Sequence, residues 1–411
     1  MNCIKGRTHN SSEVPTLDSP ALGIYVQVPF CASKCSFCNF SSGVERSSLY
    51  DRYVAGILRE LASWDELVSG YAVSRHILAQ TVDSIYIGGG TPTLLGAHRL
   101  GLLIAALQEG RSWSEDVEFT LETTPGSAHT GLVNSLRALG VNRLSIGAQT
   151  FDDRELRAVG RLHSAEQTIE LLHSARRAGF QNLSLDLIAG LPFQTADSFR
   201  RSLEAVATLR PEHVSLYLLE VDEKSRLGKE VMRGGNQYHA ETVPDDGFMA
   251  DAYESGCEFL TGEGYFQYEI SNFALPGFES RHNRKYWQLA PYVGLGAGAH
   301  SFDGEHRWAN QTKVERYLAE LEAGHSPIED IRTLSSAERL EEFFFLGLRQ
   351  AEGIDLTGAR GLWGEDCLRP WEEKIRSLAQ DGLLMLEGRR ARLSPRAYLI
   401  SNEIFQEFVN V

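Results

Sequence analysis

Cysteine and positive charge are both scarce in this sequence, and each shortage removes a class of protein. Six cysteines in 411 residues are too few to staple a chain of this size as a secreted disulfide scaffold. With 40 Lys and Arg against 55 Asp and Glu, the formal net charge of −15 has the wrong sign for wrapping a phosphate backbone, so nucleic acid is not an expected partner. No apolar run approaches the roughly 18 residues that suggest a membrane span. Residues 1–20 are polar and mixed in charge, without the apolar core of a signal peptide, and a flexible segment is expected over residues 1–22. These absences point to a cytoplasmic protein. The remaining composition, 42% hydrophobic, 23% charged and 9% aromatic, is that of a folded globular chain rather than a disordered or coiled-coil one.

From residue 23 onward, short β-branched or aromatic runs alternate with amphipathic segments. Strands are expected over residues 24–30, 82–87, 117–122, 143–146, 183–188 and 213–219. Helices are expected over 50–67, 100–109, 132–139, 165–178 and 197–209. Strand–helix alternation implies parallel pairing through right-handed crossovers. Polar or glycine-rich residues follow nearly every run, and functional groups massed at the C-terminal ends of parallel strands favour a partial (β/α)6 TIM-like barrel over an open sheet. The barrel is expected over residues 23–222. Residues 222–244 read as a polar, mobile loop, and 223–330 as an extension with a helix near 244–262. Residues 331–411 read as helices over 335–349 and 370–381, then a hairpin through Gly388: a winged-helix-like α+β domain. That segment holds 11 Lys and Arg against 13 Asp and Glu, a net of −2, which favours a packing or lid role over DNA binding.

Three of the six cysteines, Cys31, Cys35 and Cys38, crowd onto one loop just after the first strand. In a reducing compartment such thiols bind metal or do redox chemistry more often than they cross-link. A structural zinc site wants a fourth Cys or His at local spacing, and Asn39 and Phe40 follow instead. Three thiolates suffice to hold three irons of a [4Fe–4S] cubane and leave the fourth iron open for reaction. The iron–sulfur reading is favoured, with zinc left open, and Cys3, Cys257 and Cys367 read as bystanders.

The stretch from Tyr25 to Cys38, YVQVPFCASKCSFC, resembles the cluster loop of radical S-adenosyl-L-methionine (SAM) enzymes. It is closest in pattern to the family of oxygen-independent coproporphyrinogen III oxidases and their heme-chaperone relatives, and the resemblance runs over roughly residues 23 to 405. It implies a radical SAM barrel with the cluster on Cys31, Cys35 and Cys38, SAM chelating the unique iron, and cleavage of SAM to a 5′-deoxyadenosyl radical when an electron arrives. Such cleavage implies an electron donor such as flavodoxin or ferredoxin. By the same resemblance Tyr25, Phe37, Gly89, Gly90, Thr91, Glu122, Gln149, Arg161 and Asp186 are expected around the cofactor. The residues support this independently: consecutive glycines let backbone approach a ligand, carboxylates hydrogen-bond ribose hydroxyls, and an Arg neutralises a carboxylate.

Two positions choose the branch. The oxidases extend the cluster motif with a further Cys where Phe40 stands here, and His282-Asn283-Arg284-Lys285-Tyr286-Trp287 matches the HNxxYW signature of the heme chaperones. An imidazole amid aromatics is a plausible heme ligand, so His282 is expected to bind heme. The resemblance thus implies a cytoplasmic heme chaperone that carries a [4Fe–4S] cluster, SAM and heme and delivers heme to an acceptor protein. The alternative is the oxidase activity of porphyrin biosynthesis, radical oxidative decarboxylation of coproporphyrinogen III to protoporphyrinogen IX; whether the chain is an enzyme stays open. A zinc-dependent adaptor is a third reading.

Overall fold

The computed structural model describes residues 21–409, so the polar stretch 1–20 and Cys3 lie outside the described residues. The alternating runs form six parallel strands, β1 (Leu22–Val28), β2 (Val82–Gly89), β3 (Trp113–Thr123), β4 (Arg143–Gln149), β5 (Asn182–Ala189) and β6 (His213–Leu218), paired in sequence order. Helices cross between them, and two begin with capping boxes: Ser164 with Gln167, and Thr195 with Ser198. Ile24, Val26, Ile85, Ile87, Phe119, Leu121, Leu144 and Ile146 have no solvent exposure and pack in one apolar cluster with the surrounding helices. Each such side chain stabilises the fold by about 1.5–3 kcal/mol relative to exposure.

The opposite face of the same strands is polar. Ser84, Tyr86, Glu118, Thr120, Glu122, Arg143, Ser145, Ser184, Asp186, His213 and Ser215 occupy alternate positions and point to the other side of the curved sheet. The register places Tyr86 beside Thr120, Thr120 beside Arg143, Glu122 beside Ser145, and Asp186 beside Ser215. A polar lumen thus runs inside an apolar jacket.

The six-stranded expectation covers only the centre of the sheet. A hairpin of β7 (Phe266–Glu269) and β8 (Asn272–Ala274) pairs antiparallel with β6. Beyond β1 stand β9 (Tyr292–Leu295), parallel to it, and then the antiparallel strands β10 (His300–Phe302), β11 (His306–Asn310) and β12 (Ile328–Thr333). These strands are three to six residues long, too short for alternation to register in the sequence. The loop expected over residues 222–244 is also corrected: it holds a helix, Arg226–Arg233, and a 3₁₀ segment, Gln237–Thr242. Ser225 caps the helix, Gly234 ends it at φ 66°, and Leu227 buries into a small cluster with Val159, Leu191 and Met249.

The C-terminal domain has its own core, in which Phe344 stacks on Trp371 (6.0 Å between ring centroids) and on Phe408 (5.4 Å). Its sheet comprises β13 (Ile354–Asp355), β14 (Leu384–Glu387) and β15 (Arg390–Leu393). The helix expected over 370–381 extends from Glu365 to Gln380, and a preceding helix, Leu356–Trp363, was not expected. Arg349 pairs with Glu269 at 3.5 Å and lies over the Trp287 ring at 4.4 Å, and Arg284 pairs with Glu352 at 3.1 Å. These contacts hold the domain beside helix Arg281–Trp287, at the end of the barrel where the strands begin. That is opposite the cysteine loop, and the domain packs on the barrel there.

Candidate functional site

At the C-terminal ends of the strands one cavity of about 570 Å³ gathers most of the residues singled out in the sequence. Cys31, Phe37, Cys35, Cys38, Gly89, Gly90, Thr91, Glu122, Gln149, Arg161 and Asp186 all line it. Tyr25 does not: its hydroxyl donates to Gln27 Oε1 at 2.6 Å and its ring stacks on Tyr86 at 6.0 Å. His282 does not either, and it sits at the other end of the lumen.

The cysteine loop is fastened from several sides. The Cys31 N–H donates to the Gly43 carbonyl at 2.8 Å, the Ser36 N–H to Val159 at 3.0 Å, and the Leu227 N–H to Ser36 at 2.8 Å. The Arg226 guanidinium donates to the Lys34 carbonyl, and the Asn39 amide donates to Glu220 and Asp222, 3.1 Å each. The helix over 226–233 therefore clamps the loop, a role the sequence reading missed. The glycines of β2 have a packing reason as well as a ligand-approach one. A Cβ on Gly90 would lie 2.5 Å from the Phe30 carbonyl oxygen, and one on Gly89, at φ 100°, would lie 2.3 Å from the Gln27 side chain. Gly90 and Thr91 donate their N–H groups to the Val28 and Phe30 carbonyls, so the strand end is laced to the stem of the cysteine loop.

Burial raises the Cys31 thiol, and the Ser42 and Thr91 hydroxyls oppose that rise. Arg161 brings a cation to 3.6 Å from Cys35 Sγ while donating to the Gly147 carbonyl. Among the described residues no three His, Cys, Asp or Glu side chains are gathered as the ligands of one ion. A zinc ion needs all its thiolates about 2.3 Å away from one point, whereas a cubane binds each at a separate corner. Three thiols lining one cavity, with the Arg161 cation beside Cys35, fit a cluster bound through three separate thiolates.

Two carboxyl groups stand below the loop. Glu122 accepts from the Tyr86 hydroxyl at 2.7 Å and the Gly89 N–H at 2.9 Å, and burial nevertheless pushes it up to about 7. Burial likewise raises Asp186 to about 6, against the Ser215 hydrogen bond and the charges of Arg143 and Arg161. Both are suited to hold a cationic or hydroxyl-rich ligand that replaces lost water.

The sequence reading missed Arg143, Tyr86 and Asn283, which also line the cavity. Their signal was present in part: polar residues at every second position of strands buried on both faces can only face a lumen or a ligand.

His282 is fully buried. Its Nδ1 is 3.1 Å from Ser84 Oγ, its Nε2 is 3.0 Å from the Tyr286 hydroxyl, and its backbone N–H donates to Glu118 at 3.0 Å. Burial, with the charges of Lys285 and Arg143, lowers the imidazole to about 3 and keeps it neutral. Reaching an iron would cost it a bond at one of the two nitrogens.

A partial barrel with a three-cysteine loop over its strand ends defines the radical SAM class, and the model of the Radical SAM superfamily matches residues 25–206. The HemN C-terminal domain model matches residues 334–400. The heme chaperone HemW of Lactococcus lactis is 31% identical over 385 residues, 94% of this chain and 96% of that protein. HemW of Bacillus subtilis is 32% identical over 390 residues, 94% and 98% of the two chains. The solved structure of the radical SAM enzyme coproporphyrinogen III oxidase (HemN) from Escherichia coli superposes with a TM-score of 0.82 at 25% identity, over 95% of this chain and 91% of that one. This chain belongs to the heme-chaperone branch of the radical SAM family that includes the oxygen-independent coproporphyrinogen III oxidases.

Proposed function

We propose that this protein is a cytoplasmic heme chaperone that binds heme, holds a [4Fe–4S] cluster on Cys31, Cys35 and Cys38, binds SAM and passes heme to an acceptor protein. The observation that carries this reading is similarity to proteins named heme chaperone HemW over 94% of the chain, joined to Phe40 at the position of the oxidases' further cysteine. The bound cluster supplies one-electron chemistry. The chain's own residues would hold the ligands: the Glu122 and Asp186 carboxyl groups would bond the SAM ribose hydroxyls, Arg161 would pair with its carboxylate, and the Gly88–Pro92 turn would receive its methionine amino group. An electron donor such as flavodoxin or ferredoxin is required only if SAM is cleaved. Tyr25 and His282 stand below this site, bonded to Gln27 and Ser84, and His282 would take the heme iron only by releasing Ser84 or Tyr286.

The oxidase reading retains one specific support, the close superposition on coproporphyrinogen III oxidase. Anaerobically reconstituted protein separates the two. Retention of heme through gel filtration with no turnover of coproporphyrinogen III is expected; robust protoporphyrinogen IX formation would overturn the chaperone reading.

A further inference from the structure

We propose that the Ser42 hydroxyl donates a hydrogen bond to the Cys31 sulfur in the cluster-loaded protein and raises the reduction potential of the cluster, an assignment that rests on the cluster reading above. Ser42 lies on the return of the cysteine loop. There the Gly43 N–H donates to the Pro29 carbonyl at 2.9 Å and the Cys31 N–H to the Gly43 carbonyl at 2.8 Å, pairing Gly43 with Phe30 as parallel strands pair. Side chains alternate along such a pair, so Cys31 and Ser42, each next to a paired residue, share one side, and both line the cavity. The Ser42 backbone is engaged elsewhere: its N–H donates to the Phe40 carbonyl at 2.8 Å and its carbonyl accepts from Lys34 Nζ at 2.9 Å.

The hydroxyl is not engaged in this way. Ser42 Oγ is buried and completes no hydrogen bond among the described residues. The group it lies against is the Cys31 thiol, which it and the Thr91 hydroxyl hold against the upward pull of burial. A buried donor without an acceptor is costly, and a thiol is a weak acceptor. An iron-bound thiolate carries negative charge and is a stronger one, and a hydroxyl turns toward it by rotation alone. The loop shows the same pattern at a second sulfur, where Arg161 Nη1 donates to Cys35 Sγ at 3.6 Å. Donors to ligand sulfurs stabilise the more negative, reduced cluster and so raise its potential. Because Ser42 Oγ takes no part in the loop's backbone hydrogen bonds, its removal is expected to change the cluster's electronics and leave the loop in place.

The test is an anaerobic redox titration, without SAM, of the reconstituted full chain as wild type, Ser42→Ala and Ser42→Thr. The reduced cluster is followed by electron paramagnetic resonance, beside iron and sulfide content. At the wild-type midpoint the ratio of reduced to oxidised cluster is expected to fall roughly tenfold in Ser42→Ala, a lowering of about 59 mV for a one-electron couple, with iron and sulfide unchanged. Ser42→Thr keeps the hydroxyl and is expected to stay near wild type. Electron–nuclear double resonance of the reduced wild type is expected to show a proton signal that heavy water removes and that Ser42→Ala lacks. An equal or higher potential in Ser42→Ala overturns the assignment while leaving the cluster reading intact. A Ser42→Ala chain that takes up no iron makes the residue framework and overturns it as well; wild type that takes up no iron and sulfide overturns both.

Discussion

The two ends of the barrel lumen are built from similar residues and differ in whether those residues are satisfied. At the lower end, Glu118 accepts from the backbone N–H groups of Arg281 and His282 at 2.9 and 3.0 Å, His282 is bonded at both ring nitrogens, and Lys285 reaches Asp83 and the Ala21 carbonyl. At the upper end, Arg161 Nε lacks a hydrogen-bond partner among the described residues, and Glu122 and Asp186 are held well above the usual carboxylate range; Arg143, beside Thr120 between the two ends, also has Nε and Nη1 without hydrogen-bond partners among the described residues. Buried polar groups are nearly always bonded, so an end that is complete is framework and an end that is incomplete awaits ligands. The same contrast separates two readings of a buried histidine: one that is fully bonded holds a wall together, and one that is to bind iron needs a free nitrogen.

The largest effect is expected from the upper end. Replacing Cys31, Cys35 and Cys38 together by Ser is expected to abolish iron and sulfide uptake while far-UV circular dichroism stays unchanged, because the loop contributes little to the core. Collapse of the fold would show that the loop is framework. At the lower end, His282→Ala strands the Ser84 and Tyr286 hydroxyls around a new void, with an expected loss of about 2–4 kcal/mol in denaturant unfolding. Heme and cluster content should persist in that variant, and selective loss of heme at unchanged stability would return His282 to the ligand role.

Acid and base are expected to act on the two ends with opposite sign. The Glu122 carboxyl titrates near 7 in the folded chain and near 4.5 when unfolded, so its contribution is full below about 4.5 and is lost as pH rises through about 7. The His282 imidazole titrates near 3 when folded and near 6.5 when unfolded, so its contribution is lost as pH falls from about 6.5 toward 3. Melting of the apo-protein between pH 5 and 8 is expected to show Glu122→Gln flattening the alkaline fall and His282→Asn flattening the acid one; variants that leave the profile unchanged would contradict the assignment. Ionised Glu122 and Asp186 also favour a cationic ligand, so SAM affinity is expected to rise with pH through 6–7. The smallest effect belongs to the rim: Phe40→Ser, at a 65% exposed position, is expected to change stability by less than about 0.5 kcal/mol. A larger change would make the rim part of the framework.

Much of this was legible in the sequence because it is repeated or local. Six long strands with helical crossovers carry their pattern over many residues, and Cys31 to Cys38 and Gly88 to Gly90 mark the strand ends by composition alone. What was not legible depends on pairing at a distance. Strands of three to six residues such as β8 and β10 form because β6 and β9 offer an edge, and helix Arg226–Arg233 forms because the Ser36 carbonyl and the Val159 cluster receive it. The HNxxYW motif shows the same limit. Its residues were read as a unit, yet only the fold shows that Ser84 and Tyr286 take both nitrogens of His282, and that Asn283 rather than His282 lines the cavity.

The incompleteness of the upper end is tested most directly by Mössbauer spectroscopy of iron-57-reconstituted protein with and without SAM. About four irons per chain with a matching quantity of sulfide are expected, of which one changes its signal when SAM is added, as an iron without a cysteine ligand must. Stoichiometric zinc without sulfide, or a cluster whose irons are all indifferent to SAM, would contradict a three-cysteine site left open for a ligand.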